Sequence, residues 1–306
     1  MAVAGGIITT GAHPRALWPG IHAWFGRSYD EYEAEYPDLV EIETSDKAYE
    51  EEVESTGFGL AAVKPQGRTF NYDTDSQGYT SRYTNLMYAS GYIVTEEELE
   101  DNQYEAVSKR RAPDLAWALR QTKENVVAFI YIRAFSNLYP GGDGVSLVSA
   151  SHPTLFGLQS NILANPADLS EASIEDICIQ VGQTRNARGL VMKLLSQSLH
   201  IGVSQEFEAE RILKSVLQND TALNAINVLK ARGMLPKGTK VNHYFTSDVQ
   251  FHIRTNCRHA LKLFQRRTVK FEKDNDFDTS NAKAKATERY VPGWSDWRGL
   301  YSSPGV

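Results

Sequence analysis

Apolar residues at every second position predict strands near the C-terminal end of the chain. They are Leu261, Leu263, Val269 and Phe271. The acidic run 274–278 then predicts a polar turn between two strands. Strands are expected over most of 251–300. We expect them to pack against the helical region predicted in the middle of the chain, because no other predicted element is left to cover that helix.

Helical periodicity predicts a long helical region in the middle of the chain. Thr95 and Glu98 have the spacing of a capping box, which marks a helix start. Apolar residues continue at helical spacing to about Phe135, and Pro113 should kink or restart the helix, since proline removes one backbone hydrogen bond. A helix that is apolar on most sides is buried on most sides. We therefore expect the spine of a domain.

Residues 140–250 predict a second unit of mixed helices and strands. It follows the loop 138–144, whose proline and glycines mark a boundary. Helices are expected at 171–186 and 205–218, and strands at 190–195 and 240–246.

The N-terminal part combines aromatic and acidic residues. Apolar residues spaced three and four apart over 14–40 predict a short helix followed by an extended arm. Residues 30–54 are strongly acidic, with Lys47 as the only base. This run has two interpretations: a solvated surface, or an arm lying over a basic patch of an adjacent subunit.

A β-hairpin is expected next. Residues 57–63 and 68–72 flank a turn in which Pro65 fits the second position of a type I turn and Gly67 the fourth. The flanks hold few large aliphatic residues, so the hairpin should add little to its own core and should project. Tyrosines follow on further predicted strands, at Tyr79, Tyr83, Tyr88 and Tyr92.

Composition excludes several classes of protein. The chain has 306 residues, 42% hydrophobic and 23% charged, with a net charge of −6. A dedicated nucleic-acid binder would be basic, although a container for DNA needs no tight grip on phosphates. Two cysteines, Cys178 and Cys257, are expected as reduced thiols. No apolar run reaches membrane length and no signal peptide begins the sequence, so a cytoplasmic product without a membrane partner is expected.

The motifs point to no catalytic centre and no cofactor. Gly57-Phe-Gly-Leu-Ala-Ala62 superficially matches a dinucleotide fingerprint, but no buried strand precedes it and Pro65 stands where a helix should begin. Asp274, Asp276 and Asp278 have the spacing that opens a calcium loop, but Thr279 replaces the required glycine. His152 is expected as a structural residue in a loop at a domain edge.

The order of several segments resembles the major capsid proteins of tailed bacteriophages, the head subunits that share one fold with encapsulin nanocompartments. The matching segments are 29–45, 57–59, 67–72, 78–79, 91–96, 101–102, 168–170, 224–227 and 274–299. The acidic turn 274–278, Asn281-Ala-Lys-Ala-Lys285 and the stretch 294–301 are the most specific.

The resemblance implies an α+β, HK97-like major capsid fold. Residues 1–54 correspond to the N-terminal arm, and 55–83 to an extended β-hairpin loop that reaches over a neighbour. Residues 84–139 correspond to the peripheral domain with its spine helix, and 140–250 to the axial domain. Residues 251–306 correspond to the return strands of the peripheral domain and the C-terminus.

The resemblance also implies a structural function rather than an enzyme. Copies would assemble as hexamers and pentamers into an icosahedral head around double-stranded DNA, held by weak non-specific contact. A scaffolding protein, a portal and a decoration protein are the other implied partners; because the arm starts almost at Met1, the scaffold is expected as a separate protein. The location would be the virion, assembled in the bacterial host cytoplasm.

Candidate inter-subunit contacts follow from this assignment. They are Trp18, Trp24, Phe58, Lys64, Arg68, Phe70, Arg266 and Arg267. Two alternatives stay open. One is an encapsulin-like shell around a cargo enzyme, and the other is a metal-dependent enzyme that uses Asp274, Asp276 and Asp278.

Overall fold

The computed structural model describes residues 25–31, 33–95, 97, 104–218, 225–275 and 281–306, with backbone alone for 104–110 and 275. The chain divides into two compact units. Unit 1 comprises 1–34, 86–124 and 265–290, and unit 2 comprises 35–85, 125–264 and 291–306. Each unit is thus built from three separate stretches of chain.

Helices and strands alternate irregularly, as the α+β expectation requires. The strands are β1 Glu41–Thr44, β2 Tyr49–Ser55, β3 Gln77–Thr84, β4 Leu86–Val94, β5 His152–Thr154, β6 Gly157–Gln159, β7 Ser196–Gly202, β8 Thr239–Asn242, β9 Phe251–Thr255, β10 Leu261–Asn275, β11 Ala282–Trp294 and β12 Leu300–Ser303. The helices are α1 Tyr36–Leu39, α2 Tyr104–Ile132, α3 Glu171–Gly182, α4 Glu206–Lys214 and α5 Val228–Arg232, and residues 25–29 are also helical.

The described strands form two four-stranded sheets and two hairpins. One sheet has the order β1-β10-β11-β4, and the other has the order β12-β9-β7-β8. The hairpins are β2-β3 and β5-β6. The strands expected at 261–271 and around the four tyrosines are confirmed.

Helix α2 passes through Pro113 without interruption, so the helix does not restart there. Proline in a helix interior costs about 3 kcal/mol, but its neighbours Ala112, Leu115 and Ala116 are buried in the core of unit 1. That packing outweighs the lost hydrogen bond. The expected capping box at Thr95 and Glu98 falls largely on residues outside the described part of the chain.

The core of unit 1 joins one side of the β10-β11-β4 strands to α2 and to residues 25–29. Its buried residues are Phe25, Tyr29, Ala112, Leu115, Ala116, Leu119, Phe271, Ala284 and Ala286. The rings of Phe25 and Phe271 stack with centroids 4.7 Å apart. The alternating residues of β11 and the helical spacing of α2 therefore bury one side of each element.

A buried ion pair lies in the same unit. Lys123 on α2 and Glu288 on β11 are 2% and 1% exposed, and the Lys123 ammonium donates to Glu288 Oε1 at 2.6 Å. The Tyr29 hydroxyl (3.2 Å to Oε2) and the Gln265 amide (3.2 Å to Oε1) also donate to this carboxylate. Glu288 thus accepts hydrogen bonds from three segments of chain.

In unit 2 the sheet β12-β9-β7-β8 corrects two expectations. Strands β9 and β12, from the segment assigned to the peripheral domain, pair with β7 and with each other instead. The strand expected at 190–195 is wrong, because β7 begins only at Ser196. Asn186 Oδ1 accepts the amides of Arg188 and Leu190, and Lys193 has φ +55°, so this stretch is a turn.

Both expected helices of this region exist but end early. Helix α3 begins at the capping box of Ser170 and Ser173 and stops at Gly182, while α4 spans only Glu206–Lys214. The expected strand at 240–246 is confirmed in its first part as β8.

Two buried histidines face each other across β7 and β9. His200 and His252 are cross-strand partners, and the Tyr131 ring contacts both. Ser198 Oγ lies 2.8 Å from His200 Nε2, and Ser302 Oγ lies 2.7 Å from His252 Nδ1. Burial lowers the pKa of His252 to about 3 and that of His200 well below its usual value. Both rings are therefore neutral in the folded unit.

This pair predicts that the fold loses stability in acid. The unfolded chain binds protons on both histidines as the pH falls through 6.5, whereas the folded chain does not. Stability is fully present above pH 6.5 and falls by about 1.4 kcal/mol per pH unit for each histidine below it, down to the folded pKa. Urea denaturation of His252→Gln between pH 7.5 and 4.5 should show a shallower slope than the wild type. Equal slopes would contradict the prediction, since carboxylates contribute equally to both.

Candidate assembly surface

An extended loop projects from the hairpin of β2 and β3 in unit 2. The strands pair from Tyr49 with Thr84 to Ser55 with Gln77, and residues 56–76 between them contain no strand. The hairpin thus begins six residues earlier than the expected 55, and the expected arms 57–63 and 68–72 are not paired as strands. Gly57, Gly59, the two alanines at 61–62 and Asn71 in these arms are poor strand formers.

Carboxylates hold the two sides of the loop together where the strands end. Asp75 accepts the Gly57 amide at 2.8 Å and the Ser55 hydroxyl at 2.6 Å. Asp73 accepts the Gly59 amide at 2.6 Å. These hydrogen bonds lower the pKa of both aspartates, chiefly through Gly59 for Asp73 and Ser55 for Asp75. We call residues 55–59 and 73–75 the neck of the loop. Side-chain carboxylates hold the neck together in place of hydrogen bonds between paired strands.

The turn at the tip is one residue later than expected. The Arg68 amide donates to the Pro65 carbonyl at 3.3 Å, so Pro65 is the first residue of the turn and Gly67 the third. Gly67 has φ +77°, which glycine adopts without strain. The glycine, rather than the proline, decides the position of the turn.

The loop exposes large apolar side chains. They are Phe58, Leu60, Val63, Phe70 and Tyr72, with exposures from 57% for Phe70 to 93% for Val63. Phe70 and Tyr72 contact each other, with centroids 4.8 Å apart. Contiguous exposed apolar residues on a soluble chain mark an interaction surface. We call residues 56–76 the projecting loop.

Charged contacts fasten the loop and its hairpin to unit 2. Arg188 donates to Asp73 Oδ1 at 3.1 Å and also to the Thr74 carbonyl. At the base, Glu54 pairs with the buried Arg298 at 3.1 Å, and Glu52 with the buried Lys262. Burial raises the pKa of Glu54 despite this cation. The direction in which the loop leaves the unit is thus set by ion pairs.

The acidic segment before the hairpin pairs with bases of its own chain. Glu35 contacts His243 at 2.6 Å, and Asp38 contacts Lys240 at 3.1 Å. Glu41 lies 4.0 Å from Arg254. Asp38 and Glu41 keep 48% and 42% of their side chains exposed, which agrees with a solvated surface for these residues. The arm over an adjacent subunit stays a prediction.

One group of possible metal ligands occurs among the described residues. Oxygen and nitrogen atoms of Glu41, Glu43 and His259 lie within 4.8 Å of one another. The Lys262 ammonium, however, lies 3.2 Å from Glu43 and helps to lower its pKa against the opposing effect of burial. A fixed cation beside the carboxylates makes this an ion-pair cluster. Asp276 and Asp278 of the other metal hypothesis lie outside the described residues.

His152 is fully buried on strand β5 rather than in the expected loop, and it packs against residues of its own unit. Its Nδ1 lies 2.6 Å from Asp143 Oδ2, its Nε2 lies 3.0 Å from Asn161 Oδ1, and its ring stacks on Trp297 at 4.3 Å. Cys178 and Cys257 are both free thiols, and burial raises the pKa of each.

The predicted contact residues are only partly brought together. Phe58, Lys64, Arg68 and Phe70 all lie on the projecting loop. Arg266 and Arg267 lie on β10 in unit 1, where Arg267 donates to Thr287 at 2.8 Å. Trp18 and Trp24 lie outside the described residues. Sequence reasoning did not single out Leu60, Val63, Tyr72 or Arg188, because exposure and long-range partners leave no local pattern.

None of the described helices combines the length and the apolar character that crossing a membrane requires. The sequence matches no established protein family and no curated protein.

Solved structures nevertheless share the fold. The capsid of a native GTA particle aligns over 99% of this chain and 93% of that chain, with 8% identity and a TM-score of 0.56. A structure from Mycobacterium phage Patience aligns over 97% and 88%, with 11% identity and a TM-score of 0.54. A virus-like particle from Pyrococcus furiosus aligns over 94% and 98%, with 9% identity and a TM-score of 0.52. The expected HK97-like major capsid fold is confirmed.

Proposed function

We propose that this chain is a major capsid protein that self-assembles as hexamers and pentamers into the icosahedral head of a tailed bacteriophage. The fold supports a shell protein. The observation that carries the proposal is the projecting loop, whose five large apolar side chains are exposed on the single chain. The five-part division expected from the resemblance remains part of this proposal, with the hairpin extended to 49–84 and with β9 and β12 assigned to the sheet of β7.

The energetics favour closure by many copies. Burying a Leu, Val or Phe side chain stabilises by about 1.5–3 kcal/mol, and the loop offers four such residues, together with Tyr72, in every copy. Interfaces of ordinary size bury about 1,600 Å². The same contact repeated around each subunit makes the closed shell far more stable than any single pair.

The remaining partners belong to the same proposal. A scaffolding protein would direct closure, a portal would occupy one vertex, and a decoration protein would bind the outer surface. Double-stranded DNA would be enclosed by weak non-specific contact, consistent with the net charge of −6. The product would act in the virion after assembly in the host cytoplasm, as a structural protein without a cofactor.

A second candidate is an encapsulin-like shell around a protein cargo. It is suggested by the similarity to the virus-like particle from Pyrococcus furiosus, which aligns over 94% of this chain. Both candidates use the same loop and differ in content and size.

Electron microscopy of the purified protein tests the proposal. We expect closed icosahedral particles, formed by the chain alone or together with a scaffolding protein. Hexamers beside pentamers with enclosed DNA support the phage head, whereas small particles holding a co-purifying enzyme support the nanocompartment. A chain that stays monomeric under both conditions contradicts self-assembly.

A further inference from the structure

Strand β4 is an edge strand among the described strands of unit 1, where the Arg111 guanidinium donates to its Ile93 carbonyl at 3.4 Å. It pairs with β11 on one side, from Leu86 with Tyr290 to Val94 with Ala282, and no described strand lies on its other side. An edge strand presents a row of backbone donors and acceptors to any second strand. Proteins usually blunt such an edge with charge, proline or a bulge. The nine residues of β4 contain neither a charge nor a proline, and the register with β11 has no shift.

The sequence of β4 is nearly symmetric in chemical type about Ser90. Reading outward from Ser90, the pairs are Ala89 with Gly91, Tyr88 with Tyr92, Met87 with Ile93, and Leu86 with Val94. Each pair combines two residues of one class: small, aromatic or aliphatic. Met87 and Ile93, at equal distances from the centre, are each 57% exposed.

That symmetry is what a two-fold contact between identical strands requires. In an isologous interface residue i contacts residue j, and j contacts i. An antiparallel pair centred on Ser90 places each residue opposite its chemical equivalent, including an aromatic pair of Tyr88 and Tyr92, which stabilises antiparallel strands. Heterologous pairing makes no such demand on the sequence.

We propose that β4 pairs with β4 of a second copy of this chain, antiparallel and centred on Ser90. The two sheets then join through β4 and present α2 on the same side. The β4 pairing rests on the proposed shell function, because an icosahedral shell has two-fold axes at which two copies of the chain meet.

The charges beside β4 allow this arrangement. Strand β11 carries Lys283, Lys285 and Arg289 opposite Ile93, Gly91 and Met87 of β4. In the joined sheet the two β11 strands are separated by three strand spacings, about 14 Å. This exceeds the Debye length of about 8 Å at physiological salt, so the two basic rows repel each other little. The two uncharged β4 strands keep the basic residues of the two β11 strands apart.

Cysteine cross-linking tests the register. In the proposed pair the two Ser90 residues face each other within the Cα separation that a disulfide allows, about 4.4–6.8 Å. Ser90→Cys should therefore give a disulfide-linked dimer on mild oxidation with oxidised glutathione. Met87→Cys alone should not, because the two Cys side chains lie about 20 Å apart along the strand. Mixing Met87→Cys with Ile93→Cys should restore cross-linking, since these positions are partners. The wild type, which contains only the native cysteines, is the control for cross-linking through those residues.

The experiment should be run on assembled particles and on unassembled chain. Dimers of Ser90→Cys, with none from Met87→Cys alone, support the pairing. The pairing is overturned if Ser90→Cys gives no dimers in particles, or if Met87→Cys alone gives as many dimers as Ser90→Cys. If the wild type forms particles but Ser90→Cys does not cross-link, the pairing fails and the shell function stands. If Ser90→Cys cross-links in a chain that never forms particles, the pairing stands and the shell function fails.

A charge at the centre gives an independent readout. Ser90→Lys places two ammonium groups across the axis, and we expect at least a tenfold loss of particle yield with an unchanged circular dichroism melting curve, because Ser90 is exposed. Mixing Ser90→Lys with Ser90→Glu chains should recover the yield. Full assembly of Ser90→Lys chains would overturn the proposal.

Discussion

A subunit in which residues 60–72 are replaced by a short Gly/Ser linker should fold normally and form no shells. The replacement removes Leu60, Val63, Phe70 and Tyr72, which are exposed and add nothing to the core of unit 2. It keeps the neck made by Asp73 and Asp75, so the hairpin should remain in place. Closure depends on every copy making the same contact, and the loss therefore acts on all interfaces at once.

Circular dichroism melting and electron microscopy of the same preparation measure the two effects. We expect a melting temperature close to that of the wild type and at least a hundredfold fewer closed particles. The matched control replaces only residues 64–67 by Gly/Ser, which keeps the loop length and its apolar residues and should still assemble. Normal shells from the 60–72 variant would refute the assembly role of the projecting loop, and a collapsed melting curve would show that the loop belongs to the core.

Removing the buried cation Lys123 of unit 1 should strongly destabilise the fold. Lys123→Met leaves the Glu288 carboxylate, 1% exposed, without its ion-pair partner at 2.6 Å. Breaking a buried pair from one side costs about 3–5 kcal/mol, because a charge stays buried and uncompensated. Tyr29 and Gln265 still donate to this carboxylate, but neither supplies a positive charge.

Urea denaturation checks this prediction through the free energy of unfolding. The double variant Lys123→Met/Glu288→Gln should recover most of the loss, since the remaining amide oxygen is neutral and can still accept both hydrogen bonds. The matched control is Lys214→Met, which breaks the exposed pair of Lys214 with Glu210. Exposed pairs contribute about 0–1 kcal/mol. A loss for Lys123→Met no larger than that of the control would contradict the prediction.

Local patterns in the sequence were sufficient to predict the helices and strands that bury one side. The even spacing from Leu261 to Phe271 indicated β10, and the helical spacing after Thr95 indicated α2, because burial of one side imposes a period on the sequence. The resemblance to capsid proteins, carried by the order of short segments, led to the fold that the solved structures confirm. Turn residues in 138–144 likewise marked a loop that the structure retains.

Tertiary structure decided everything that depends on a distant partner. The acids of 35–54 pair with bases as far away as Arg298, 244 residues from Glu54, and the turn of the projecting loop follows Gly67 rather than Pro65. Pro113 stays within α2 because the core holds the helix together, and β9 and β12 join β7 because their apolar residues are covered there. A sequence therefore determines which residues must be buried or can turn, through local period and backbone freedom. Only the folded chain determines which charge meets which, and which apolar residues remain exposed for another copy, because those outcomes depend on contacts between residues far apart in the sequence.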